Sequence, residues 1–168
     1  MQNAKDTFYL TLQSRLAQLN PARTIVLRGV LRPGVLVEEN ELPTASIEVD
    51  AFRLQWTATQ IDTEVPMPLV TLACSIAYAT DGSSGNGGMD RGRLLAAMNG
   101  ELTAALAADP RTVIKMDYAA AVNGVAPTEM GTNVFWAEPV FGAIEVDGER
   151  LLRKATVQVC AYQEEGEL

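Results

Sequence analysis

Leu69-Val70-Thr71-Leu72-Ala73-Cys74-Ser75-Ile76-Ala77-Tyr78-Ala79 alternates from end to end. Val70, Leu72, Cys74, Ile76 and Tyr78 take one face, and Thr71, Ala73, Ser75 and Ala77 take the other. A period of two over this length predicts a β-strand, because successive side chains of an extended chain point to opposite sides. The small second face suits close packing by a helix or by a neighbouring subunit. A strand of this kind needs partners at both edges and cover on its apolar side, and the flanking sequence supplies them.

Upstream, Val65-Pro66-Met67-Pro68 interrupts the chain, since proline cannot donate to a central ladder. Before it, Ala45, Ile47 and Val49 alternate with Ser46, Glu48 and Asp50, which predicts a strand over 45–49. Phe52, Leu54 and Trp56 carry a period of two onward towards Thr59. Further back lie two short apolar runs, 24–27 and 35–37, with Pro33-Gly34 between them as turn chemistry, so a hairpin or a reaching loop is expected. Glu38-Glu39-Asn40-Glu41 then has to be solvated. The chain opens on a helix over 5–19: Phe8, Leu12, Leu16 and Leu19 form one apolar stripe that Ala4 and Leu10 could widen. Lys5, Gln13, Arg15 and Gln18 fall to the other side, and Asn20-Pro21 ends the helix.

Downstream, Asp81-Gly82-Ser83-Ser84-Gly85-Asn86-Gly87-Gly88 has the composition of a flexible linker. A second helix is expected over 90–108, with Asp90 as its N-cap and Leu94 or Leu95, Met98, Leu102, Ala105 and Leu106 as its apolar stripe. Asp109-Pro110 stops it. Residues 111–133 show no clear period; Lys115-Met116-Asp117-Tyr118 suggests a short helix and Asn123-Gly124 a turn, so 110–132 is taken as an insertion or contact loop. Two strands close the chain, 133–144 (broken by Pro139 and Gly142) and 151–162, with Asp147-Gly148 as a hairpin signal between them. The tail, 163–168, is acidic and expected to be flexible.

These elements run α-β-β-β-β-α-β-β. They predict one α+β domain over 1–168, a mostly antiparallel sheet with two amphipathic helices packed on one face. Its 168 residues, 48% hydrophobic and 20% charged, allow a substantial core. No apolar run approaches the length of a membrane span, and Met1-Gln2-Asn3-Ala4-Lys5-Asp6 lacks the pattern of a signal peptide. Thirteen basic against 21 acidic side chains leave a net charge of −8, which argues against free nucleic acid or an anionic membrane as the main partner.

The chemistry open to the chain is narrow. It has no histidine, so Ser-His-Asp and Cys-His nucleophile systems and histidine-ligated zinc are excluded. Cys74 and Cys160 form no C-x-x-C pattern and read as small buried residues or, alternatively, as a disulfide. The glycine run has P-loop spacing from Gly82 to Gly87, but Gly88 and Met89 stand where lysine and Ser/Thr are needed. The dinucleotide template fails as well, because Asp90 falls where a phosphate would approach. Glu38, Glu39 and Glu41 and the pair Glu48 and Asp50 lack the order of a calcium loop and read as surface acidity. Arg23, Arg28 and Arg32 surround the first hairpin and either meet an acidic neighbour or balance local charge. Trp56, Phe135 and Trp136 read as core or interface anchors. No catalytic, cofactor-binding or metal-binding residue emerges, and no enzyme activity is expected.

Taken together, the N-terminal helix, the hairpin leading to Glu41-Leu42-Pro43-Thr44-Ala45-Ser46-Ile47-Glu48-Val49, the strand over 69–79, the polar gap, the helix over 90–108 and the closing strand pair resemble the tail terminator (tail completion) proteins of long-tailed phages and phage-like particles. The resemblance covers nearly the whole chain and rests on layout, length and acidity; the long 110–132 segment and the glycine-rich gap depart from it. It implies a structural virion protein, made in the host cytoplasm, whose subunits form a sixfold ring that caps the tail tube and joins it to the neck or head. The implied partners are copies of itself, the tail tube protein and a neck or head-completion protein, with DNA only as passing cargo and no membrane. Another head–tail connector or neck protein fits the same layout. A small phosphate-ligand-binding protein using Gly82–Gly88 is the competing class.

Overall fold

A computed structural model describes residues 1–40, 48–81, 89–119, 124–164 and 167. Among them the chain runs α1 (Gln2–Leu19), β1 (Thr24–Leu27), β2 (Val30–Pro33), β3 (Val35–Val37), β4 (Phe52–Asp62) and β5 (Leu69–Thr80). It continues through α2 (Met89–Ala107), β6 (Thr112–Asp117), β7 (Thr128–Trp136), β8 (Val140–Asp147) and β9 (Arg150–Tyr162). Seven strands form one sheet in the order β3-β4-β5-β9-β7-β6, with β8 also paired to β9. Every pairing in it is antiparallel except β3 with β4. The fold is α+β, as the order of elements predicts.

The strand from Leu69 is the centre of the sheet. It pairs with β4 on one side and, over its whole length, with β9 on the other, Leu69 opposite Tyr162 and Thr80 opposite Leu151. Its predicted apolar face is the core: Val70, Leu72, Cys74, Ile76 and Tyr78 are all buried, beside Ala155, Val157, Val159 and Ala161 of β9 and Phe52 and Leu54 of β4. Each Val, Leu, Ile and Phe among them contributes about 1.5–3 kcal/mol relative to an exposed one. Both helices close this face. α1 lays down Ala4, Phe8, Leu12 and Leu16, and α2 lays down Leu95, Met98, Leu102, Ala105 and Leu106. Leu10, Leu19 and Leu94 turn out to be exposed, so the buried stripes are narrower than the sequence suggests.

α1 has no side-chain cap, and α2 has no basic residue in its last turn. Asp90 lies inside the first turn of α2, not at the N-cap position. Arg15, expected on the solvent side, reaches across instead. Its guanidinium donates to the carbonyls of Ala105, Ala108 and Pro110 at 3.0, 2.8 and 2.8 Å and lies over the Trp136 ring, 5.0 Å from its centroid. One helix therefore supplies the cationic C-cap that the other lacks. Tyr78 reaches α2 from below, its hydroxyl donating to the Asn99 amide oxygen.

Three expectations are corrected. The first hairpin turns at Arg28-Gly29, not at Pro33-Gly34. Leu27 pairs with Val30, and both loop residues have positive φ (51° and 79°), which is the two-residue geometry that follows the twist of the strands. Residues 112–117 are a strand and not a helix or loop: β6 pairs with β7, and the Met116 N–H donates to Thr7 Oγ1 of α1 at 3.0 Å. The expected strand over 133–144 is two strands, β7 and β8, parted around Pro139. The strand expected over 45–49 lies mostly outside the described residues; Val49 makes an isolated bridge to Ala79.

The acidic tail is also tied down where it is described. Gln163 is buried, and its N–H donates to the Pro68 carbonyl at 2.8 Å. Glu164 accepts from the hydroxyl and backbone N–H of Thr132, at 2.7 and 3.0 Å. Glu167 meets the buried Lys115 ammonium at 2.6 Å.

Candidate functional site

Of the carboxylates singled out in the sequence, Glu38, Glu39 and Asp50 pair with cations, Glu48 holds a buried Oε2 with no hydrogen-bond partner among the described residues, and Glu41 lies outside the described residues. Glu38 meets Arg53 and Glu39 meets Lys5, each at 2.7 Å. Asp50 lies 3.5 Å from Arg23. Among the described residues no group of three or more candidate metal ligands comes together. The Gly82–Gly88 run lies outside the described residues.

Of the three arginines, Arg23 balances charge. It grips Glu101 of α2 through two contacts, Nε to Oε2 at 2.6 Å and Nη2 to Oε1 at 2.9 Å, and lies over the Phe52 ring. Burial pushes the Glu101 carboxyl up, but the hydrogen bonds from Arg23 and Asn20 outweigh it and leave it below the ordinary value of 4.5. A carboxylate with a lowered folded-state pKa adds stability that is complete above the unfolded value and is lost as pH falls through the folded one. Glu101→Gln is therefore expected to cost about 2 kcal/mol at neutral pH and to lose less of its stability than wild type as pH drops below 4.5. Asp6, raised by burial, works in the opposite sense, so the comparison rests on wild type against the variant in urea melts across that range.

The two cysteines are on opposite faces of the sheet. Cys74 points into the core, opposite Val157, and burial pushes its thiol up to about 12. Cys160 is opposite Thr71 on the outer face, with its sulfur 3.6 Å from the Thr71 hydroxyl. Both are free, and the disulfide alternative falls. The aromatic residues divide as well. Trp136 is buried, donates from Nε1 to the Leu106 carbonyl and packs edge-on against Phe8; Trp56 meets the same ring from the other side. Phe135 points away from the core and leans on Tyr162.

That outer sheet face carries no helix among the described residues, and it holds two concavities. One, about 560 Å³, is lined mainly by Met67, Thr132, Phe135 and Tyr162. The other, about 160 Å³, is polar and sits between Glu38, Arg53, Ser75 and Lys154. Both are open to solvent and shallow in chemistry: neither gathers a nucleophile with a base.

What stands out is exposed apolar surface in two places. β1 and β2 form a two-stranded sheet of their own, beside the β3 edge of the main sheet, with Val26, Val30 and Leu31 exposed to 65%, 62% and 66%. Among the described residues β8 is paired on one side only, and it exposes Val140, Ile144 and Val146 to 71%, 53% and 72%. Four strand spacings separate β8 from β3 through β9, β5 and β4, which is about 19 Å at the usual interstrand distance. The sequence reading missed both surfaces, because β-branched residues in a strand pattern look like core until pairing shows which strands are covered. The signal available was charge: 21–34 holds three arginines and no acid, and 140–149 holds three acids and no base.

No protein-family model matches the chain, and no curated protein matches it. Among solved structures, it is similar to a chain of the "Virion of native gene transfer agent (GTA) particle", with 11% identity over 90% of this chain and 95% of that one. The TM-score is 0.34, a superposition too loose to establish a shared fold or a shared role.

Proposed function

We propose that this chain is a structural virion protein, a tail terminator-like ring subunit that caps the tail tube and joins it to the neck or head. It works by shape and catalyses no reaction. The carrying observation is the pair of exposed apolar surfaces on opposite flanks of one sheet. A closed ring requires each subunit to present two different faces, one to each neighbour, whereas a two-fold dimer requires only one self-complementary face. The layout of elements that resembles tail terminator proteins supports the same reading. The net charge of −8 suits a ring through which DNA passes, because an acidic lumen repels phosphate and limits sticking.

Negative-stain electron microscopy of the purified protein, alone and mixed with a tail tube protein, is the direct test. Closed rings are expected, with the tube ending at the ring when both are present. Monomers in both settings would refute the reading.

A further inference from the structure

The proposed ring leaves open which surfaces meet, and the two exposed hairpins have complementary chemistry. We propose that the β8 edge of one copy docks on the β1–β2 hairpin of the next copy, head to tail around the ring. This rests on the ring reading above.

Four observations on the two surfaces converge. First, a two-stranded ribbon is marginal in water by itself and gains its stability from a third strand or an apolar cover. The β1–β2 pair has no third strand among the described residues and is half-covered on one face only, where Ile25 and Leu27 lie; its other face presents Val26 and Leu31 to solvent, and Val30 is exposed beside the turn. Second, β8 is the matching half: an edge strand whose backbone groups on one side have no ladder partner among the described residues, with branched apolar side chains beside them. Such edges pair readily with a strand from another molecule. Third, the charges are opposite. Arg28 stands exposed at the tip of the β1–β2 turn, while Glu145 and Asp147 stand exposed along β8. Fourth, the surfaces lie on opposite flanks of β4, β5 and β9, so neither covers the other within one subunit. Each subunit thus carries one of each, which generates a heterologous contact that can close on itself.

Arg28 adds a local detail. The first position of this turn type needs positive φ and is usually filled by asparagine, aspartate or glycine. A long cationic side chain held there at φ 51° is poor turn chemistry but good placement of charge at a contact.

The test separates the two faces. One variant, Val26→Asp with Leu31→Asp, spoils the β1–β2 hairpin; the other, Ile144→Asp with Val146→Asp, spoils β8. All four positions are exposed, so circular dichroism and thermal midpoint are expected to stay near wild type. Sedimentation is expected to show wild type as a ring and each variant alone as a monomer. An equimolar mixture of the two variants is expected to give one-to-one dimers and nothing larger, because each supplies the face the other has lost. As a milder probe, Arg28→Glu is expected to weaken association by about tenfold, and Arg28→Glu with Glu145→Arg to recover it. If wild type assembles and the spoiled variants assemble equally well, the interface assignment is wrong and the ring reading survives. If wild type stays monomeric alone and with tail tube protein, both fail.

Discussion

Lys115→Ala is expected to cost the fold about 3–5 kcal/mol, read as a shift of the urea midpoint. The lysine is almost fully buried on β6, and its ammonium donates to the Tyr162 carbonyl and to Glu167 Oε2, both at 2.6 Å, with Glu164 at 3.6 Å. Glu167 is itself nearly buried, its side chain 7% exposed. Removing the lysine leaves that carboxylate in a low-dielectric site, answered among the described residues by the Glu164 backbone N–H at 2.9 Å and by the N-terminal ammonium at 3.9 Å, the nearest cation left. An uncompensated buried charge costs far more than the pair was worth. The cost should therefore shrink when both charges go together: Lys115→Met with Glu167→Gln is expected to recover most of the loss. A double variant as unstable as Lys115→Ala would show that packing around the lysine stem, not charge, is what matters. Because Glu164 and Glu167 follow directly on β9, losing this contact is also expected to speed proteolysis of the tail.

Phe8→Ala is expected to cost a similar amount, about 3–5 kcal/mol, by opening a cavity at the point where helix and sheet meet. Phe8 is 1% exposed and sits between two tryptophans, its ring centroid 5.9 Å from Trp56 and 5.6 Å from Trp136, edge-on to both. Each such pair adds about 0.5–1.5 kcal/mol beyond area burial. The residues contributing to this cluster come from α1, β4 and β7, so the cavity cannot close by moving one element. Phe8→Leu keeps most of the volume and is expected to lose much less. Tryptophan fluorescence during denaturant melts reads both the stability and the loosening of the cluster.

The two variants probe different kinds of legibility. Phe8 was readable, because it begins an apolar stripe at helical spacing and needs only its own neighbours to be recognised. Lys115 was not. On β6 it occupies the core-facing register between Val113 and Asp117, so the alternation that marks a strand is broken by the very residues that make the site. Its partner lies 52 residues away. The hairpin at Arg28-Gly29 was hidden for a related reason. Pro33-Gly34 carries the stronger turn composition, but the pairing of Thr24 with Pro33 uses that proline as the last residue of a strand without a further partner. Arg15 looked solvated because its position on α1 is off the apolar stripe; only the approach of the end of α2 gives its guanidinium three carbonyls to cap.

The candidate assembly surfaces show the same division. Their composition was visible, an arginine-bearing apolar segment near the start and an acid-bearing one near the end. That they are surfaces was not visible, since exposure of a strand is a property of its neighbours. The amino-acid sequence by itself determined the helical stripes, the two central strands and the alternation that sends one face of each into the core, because these depend on spacing within about a dozen residues. Only the tertiary structure decided which strands lie at the edges, which charges are buried and which apolar rows stay uncovered. Those outcomes depend on pairings between segments far apart in the chain, and no local pattern specifies a partner that distant.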